Sequence, residues 1–131
     1  MAKFETTVKG ALEELKDYIT ENEVHFGRIV VKGEELEGFL GDTWYWIITY
    51  SRTSALFFKH IADDSDLMVT LTIMLMQQGD DVRVSAITSM GDHRSKVKEF
   101  AISRENEFME DFVEIITGYE AEIINATAYE E

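Results

Sequence analysis

The hydrophobic positions of this chain recur with two different periods, and the changes of period divide it into elements. Residues 3–8 alternate, with Phe4, Thr6 and Val8 set against Lys3, Glu5 and Thr7, which predicts a half-buried strand. Gly10 ends it. From Ala11 to about Glu23, Leu12, Leu15, Tyr18 and Ile19 share one helical stripe, while Glu13, Glu14, Lys16, Asp17 and Glu21 fill the opposite side, as in an amphipathic helix. Phe26 to Lys32, with the β-branched run Ile29-Val30-Val31, predicts a second strand. Gly33-Glu34-Glu35 then supplies a polar turn, before a loop punctuated by Gly38 and Gly41.

Thr43 to Thr53 is apolar on both parities at its start: Trp44, Trp46, Ile48 and Tyr50 on one, Tyr45 and Ile47 on the other. A strand of that kind is central, or covered on its second face. Residues 54–65 are left as a connection. Leu67 to Gln77 alternates cleanly, with Leu67, Val69, Leu71, Ile73 and Leu75 opposed by Met68, Thr70, Thr72, Met74 and Met76. Gln78-Gly79-Asp80-Asp81 is a hairpin turn into a strand over Val82 to Met90, so these two strands must be antiparallel. A last strand is expected from Ser95 to Ile102, with Ser103 as N-cap of a closing helix. That helix carries Phe108, Phe112, Ile115, Ile116 and Tyr119 on one stripe, and Gly118 marks its end or a weak point.

The resulting class is α+β: a mostly antiparallel, curved sheet of about five or six strands with an N-terminal and a C-terminal helix packed on it. Residues 1–119 form one domain, followed by an acidic extension over 120–131 that continues the last helix or trails from it. A chain of 131 residues with 45% hydrophobic content can build one core without disulfides or a structural metal.

Composition narrows the functional classes. The chain has no cysteine, which removes thiolate metal sites, iron–sulfur clusters and cysteine nucleophiles. Twenty-six acidic residues against 12 basic ones give a formal charge of -14, which repels nucleic acid and anionic lipid. No apolar run reaches the roughly 20 residues of a membrane span, and no signal segment is evident, so a cytoplasmic location is expected. Arg83, Arg94, Lys96 and Lys98 make a local basic strip, whose simplest role is to neutralise neighbouring acidic helices.

The opening Met1 to Glu5 with Val8 and Gly10, the hairpin Gly79-Asp80-Asp81 leading into Val84 to Ser89, and the acidic helix containing Phe112 together resemble a family of short bacterial, Firmicutes-type proteins of unknown function. The likeness covers most of residues 1–119. It departs at Met90-Gly91, where family members tend to carry a second glycine, and in a longer segment around 54–66 and a longer tail. It implies a fold outline and a bacterial cytosolic origin, and no activity. The element order is also similar to helix-grip and TATA-binding-protein-like folds, an analogy that does not fix function.

Catalytic signatures are missing. No Gly-x-Ser-x-Gly elbow and no phosphate-cradling glycine loop occurs. His25, His60 and His93 lie in separate connections without metal spacing. His60 with Asp63, Asp64 and Asp66 is a weak metal candidate, lacking the glycine and closing glutamate of a calcium loop. Paired acids such as Glu13-Glu14 and Asp80-Asp81 fall on a helix face and in turns, where they serve solubility. No cofactor is implied.

The surplus of apolar strand faces is the main lead. Trp44, Trp46, Tyr50, Met68, Met74 and Met76 are the candidate ligand or interface residues, because amphipathic rings and adaptable methionines suit grooves and interfaces as well as cores. If helices cover one sheet face, the second face needs a ligand or another chain; if the sheet curls around the last helix, the same residues are core. The expected function is a non-catalytic binding or assembly module, either self-associating through an apolar sheet face or holding a small apolar ligand between sheet and last helix. The alternative is a small enzyme with scattered acid-base residues, such as His60 or His93 with a nearby aspartate.

Overall fold

The computed structural model describes residues 1–27, 30–55, 66–90 and 98–130. Over these residues the chain runs β1 (Lys3–Lys9), α1 (Leu12–Glu21), a 3₁₀ turn (Glu23–Phe26), β2 (Val30–Leu40), β3 (Thr43–Ala55), β4 (Asp66–Gln78), β5 (Asp81–Met90) and α2 (Lys98–Glu130). The five strands form one antiparallel sheet in the order β1-β5-β4-β3-β2. Hairpins join β2 through β5, and the first strand returns to pair with the last. The class is α+β with an open sheet, and β4 lies at its middle.

Both helices pack on the same face. Phe4 and Val8 of β1, Trp46, Ile48 and Tyr50 of β3, Val69, Leu71, Ile73 and Leu75 of β4, and Val82, Val84 and Ala86 of β5 point toward them. Leu12, Leu15 and Ile19 of α1 and Phe108, Phe112, Ile115, Ile116 and Tyr119 of α2 close the core from above. These are the stripes that the periodicity predicts. Aromatic edges fill the layer between: Phe26 meets Tyr50 at 5.0 Å and Phe108 at 5.4 Å between centroids, and Phe4 meets Phe112 at 6.2 Å. Each fully buried side chain of this size contributes about 1.5–3 kcal/mol by leaving water.

Gln77 secures the β4–β5 hairpin to the start of α1. Ala11, at the N-cap position, has no side-chain hydrogen bond to the helix. The Gln77 carboxamide substitutes for it: its oxygen accepts from the backbone N–H of Leu12 at 2.6 Å, and its nitrogen donates toward the carbonyls of Gly10, Gly79 and Asp81 at 2.9–3.1 Å. A first-turn N–H is thus satisfied by a residue 65 positions away.

Several sequence expectations change. The strand expected over Phe26 to Lys32 begins at Val30, because Glu23–Phe26 forms a 3₁₀ turn that plants Phe26 in the core. The turn expected at Gly33-Glu34-Glu35 is a bulge: the register shifts between Lys32 and Glu35 and β2 continues to Leu40. Gly33 is there because a Cβ would stand 3.0 Å from the backbone oxygen of Thr49 on β3.

The strand expected from Ser95 to Ile102 is, over its described part, already α2, so Ser103 is not its N-cap. The stripe of Phe108 and Phe112 extends backward through Glu105, which is buried, and this helical period overrides the short alternation before it. Gly118 does not end the helix, which continues to Glu130.

Candidate interaction surface

The sheet's outer face carries no described helix, and strand register defines what it displays. Tyr45, Met76 and Arg83 lie side by side across β3, β4 and β5; beside them run Ile47, Met74 and Ser85, then Thr49, Thr72 and Ile87, then Ser51, Thr70 and Ser89, with Thr53 and Met68 completing the series. Most of these side chains are half-buried, and Met68 is 55% exposed. On β2, Leu36 faces Ile47 and Gly38 faces Tyr45. A Cβ on Gly38 would stand 3.2 Å from the Tyr45 hydroxyl, so the phenol ring lies across the glycine.

Charge is nearly absent from these rows. Arg83 is their single charged residue among β3, β4 and β5, and it pairs with Glu5 of β1 at 3.6 Å. On the β1 flank the outer face carries Lys3, Glu5 and Lys9, the last beside Asp81 of β5. Glu35 and Glu37 of β2 share the parity of Ile48 and Trp46 and turn to the inner face, where Glu37 meets Lys16 of α1 at 3.3 Å. β2 also exposes Val31, Leu36, Phe39 and Leu40.

Polar atoms on the inner face are tied down. The Trp46 indole N–H donates to Glu35 at 2.6 Å and the Tyr50 hydroxyl donates to Glu23 at 2.7 Å. Burial, then the bond to Glu23, pushes the Tyr50 phenol far above its ordinary 10. Arg52 reaches under the 3₁₀ turn, donating to the Phe26 carbonyl at 3.2 Å and to Asp111 of α2 at 2.7 Å, with its guanidinium 4.4 Å from the centre of the Phe108 ring. Beside it a cleft is lined by Tyr18, Asn22, His25, Asp111, Glu114 and Ile115. Among the described residues no group of three or more His, Asp or Glu side chains could hold a metal ion.

A family profile described as "Family of unknown function (DUF6054)" matches residues 1–120. The chain belongs to that family. No curated protein and no solved structure matches it. The matched span of this DUF6054 chain takes in all five strands, α1 and α2 as far as Glu120, so family membership carries the whole sheet and both of its faces. No described helix is long and apolar enough to cross a membrane.

The six residues singled out from the sequence of this DUF6054 member fall on opposite faces. Trp46 and Tyr50 are core, at 0% and 1% exposure, and Trp44 is half-buried beside them, stacked on Phe39 at 6.4 Å. Met68, Met74 and Met76 are on the outer face. Tyr45, Ile47 and Ile87 join them there, and the available signal was the second apolar parity of β3. His60, Asp63, Asp64 and His93 lie outside the described residues, as do Arg94 and Lys96 of the basic strip; Asp66 opens β4. Arg52, a lone charge in an apolar strand, and Glu105, buried against the α-amino group of Met1, are polar features that sequence reasoning passed over.

Proposed function

We propose that this DUF6054 protein is a non-catalytic binding or assembly module, and that its working surface is the outer face of β3, β4 and β5. The observation that carries the reading is the composition of that face. In a chain with 26 acidic residues, adjacent rows hold Tyr45, Ile47, Met74, Met76 and Ile87 with hydroxyl side chains and almost no charge. An apolar patch of this kind on an otherwise strongly charged protein marks an interaction site. Methionine side chains adapt their shape to an opposing surface. The acidic balance also suits a soluble cytoplasmic protein.

The second form of module, a small apolar ligand held between sheet and last helix as in helix-grip folds, has less support. The order β1-β5-β4-β3-β2 beneath a C-terminal helix favours that analogy, but Trp46, Phe26, Phe108 and Phe112 fill the described layer between sheet and α2.

A neutral apolar dye such as Nile red, which the charge of -14 does not repel, tests the surface. Dilute protein should enhance its emission, and Met74→Lys or Ile47→Lys should abolish the enhancement while leaving the far-ultraviolet circular dichroism unchanged. Equal enhancement by the parent and both lysine variants would remove the outer face from consideration.

A further inference from the structure

We propose that the outer face is a peroxide-responsive surface: Met68, Met74 and Met76 take up oxygen as sulfoxides, and the face turns from apolar to polar while the fold stays intact. The proposal rests on the reading of that face as the working surface and adds a means of regulating it.

All the sulfur of this chain is thioether, because there is no cysteine. The six methionines divide by position. Met90 and Met109 belong to the core, and Met1 stands before β1. The other three share one face of one strand, β4, whose opposite parity is Val69, Leu71, Ile73 and Leu75. Met68 is exposed, and Met74 and Met76 are half-buried on a face that no described helix covers. An oxidant in solution therefore reaches three sulfurs on the working surface and is kept from the two in the core.

Strand register sets a side-chain donor beside each of the three. A thioether is a weak acceptor that needs no donor, whereas a sulfoxide oxygen is strongly polar and does. Met76 lies opposite Arg83, Met74 opposite Ser85 and Met68 opposite Thr53. Residues directly opposite across a ladder have Cβ atoms about 4.5–5.5 Å apart, so these donors and solvent together can serve the added oxygens in place. The Arg83 pair with Glu5 is long, at 3.6 Å, and the guanidinium has further N–H groups for Met76. What oxidation removes is the apolar character of the rows that join Met76 to Tyr45 and Met74 to Ile47, on which docking depends.

The step needs one co-reactant, hydrogen peroxide. The thioether sulfur attacks one peroxide oxygen, the O–O bond breaks and an S–O bond forms; two electrons pass from sulfur to the peroxide, and the second oxygen leaves as water with both protons. A dithiol acting through a methionine sulfoxide reductase reverses it, becoming a disulfide as the oxygen departs as water.

Brief treatment of the folded chain with dilute hydrogen peroxide, followed by peptide mass mapping, Nile red emission and thermal melting, tests the proposal. Sulfoxide should appear at Met68, Met74 and Met76, and at the exposed Met1, with Met90 and Met109 unmodified. Dye enhancement should be lost, with the far-ultraviolet circular dichroism unchanged and the melting temperature moved by no more than about 2–3 °C. Reductase with dithiothreitol should restore the emission. A Met68→Leu, Met74→Leu, Met76→Leu variant should bind dye equally before and after peroxide.

Sulfoxide that spares Met74 and Met76, or an oxidised protein that keeps its dye enhancement, overturns the proposal and leaves the face as a docking surface. Dye loss that accompanies unfolding, or that the leucine variant shares, places the damage elsewhere and also overturns it. A parent that binds no dye before oxidation overturns the reading of the face and the proposal with it.

Discussion

The phenol oxygen of Tyr18 lies 2.8 Å from the point where a Cβ on Gly118 would stand, so a hydroxyl on α1 occupies the space that glycine leaves on α2. The arrangement is nearly reciprocal. Tyr119, next along α2, sits edge-on to the Tyr18 ring at 5.2 Å and brings its own hydroxyl to 3.0 Å from the Cβ position of Gly10. Burial first, then neighbouring carboxylates (Glu122 for Tyr18, Glu14 and Glu122 for Tyr119), pushes both phenols above their ordinary value.

This contact should make Gly118→Ala depend on residue 18. Alanine gains about 1 kcal/mol in a helix interior, but here its methyl drives the Tyr18 hydroxyl out, at an expected cost of about 1–3 kcal/mol. In a Tyr18→Phe background the nearest remaining atom stands at 3.9 Å, an ordinary contact. Gly118→Ala should therefore destabilise the parent and stabilise the phenylalanine variant. A double-mutant cycle by urea unfolding measures the coupling, expected at about 1–2 kcal/mol; additive changes would remove the steric account.

Arg52 joins three elements, and its replacements should separate charge from shape. Arg52→Ala removes the ion pair to Asp111, the bond to the Phe26 carbonyl and the stacking on Phe108, at an expected cost of about 2 kcal/mol. Arg52→Lys keeps the charge but not the planar fork that serves all three partners, and should recover less than half of that loss. Urea midpoints with and without salt report both effects. Since Arg52 is 14% exposed, moderate salt should change the difference little.

Gln77 is predicted to tolerate neither truncation nor charge. Gln77→Ala leaves the Leu12 N–H without its acceptor and should cost about 1–2 kcal/mol. Gln77→Glu keeps the acceptor but turns a carboxylate toward the carbonyls of Gly10, Gly79 and Asp81. Its folded-state pKa should be raised, so the variant should approach parental stability in acid and lose stability as pH rises. Melting temperature against pH tests this, and a flat profile would show that the carboxylate rotates away.

The same residues show how far the sequence carries. β4 was legible because its parities differ in kind: Val69, Leu71, Ile73 and Leu75 oppose two threonines and the methionines, and only one face can be core. The α2 stripe was legible for the same reason. β3 was not, because Trp46 and Ile47 are both apolar and only packing against α1 and α2 decides which turns inward. The β2 bulge was hidden because Gly33-Glu34-Glu35 has the composition of a turn, and only Thr49 across the ladder explains the glycine. The start of α2 was misplaced because Ser103 suits a cap and the residues before it alternate. Arg52–Asp111 and Gln77–Leu12 join residues 59 and 65 apart, a separation on which local pattern is silent. The candidate surface was legible as a surplus of apolar residues, and its membership was fixed by register.

Glu35 and Trp46 supply the clearest dependence on pH. The indole N–H donates to the Glu35 carboxylate at 2.6 Å, and this bond, aided by Lys32 and Lys16 and opposed by partial burial, holds the carboxyl below its ordinary 4.5. A carboxyl whose pKa is lower folded than unfolded stabilises the fold fully above the unfolded value. That contribution is lost as pH falls through the lower, folded value. Glu35→Gln keeps an acceptor oxygen for the indole but not the charge. The parent's advantage over Glu35→Gln should therefore be constant near neutrality and shrink below about pH 4.5. Trp46→Phe should shrink it at neutral pH, because the bond that chiefly lowers the carboxyl is gone. Urea midpoints across this range decide it. An advantage that persists unchanged at the acid end would mean that Glu35 acts through packing and not through its charge.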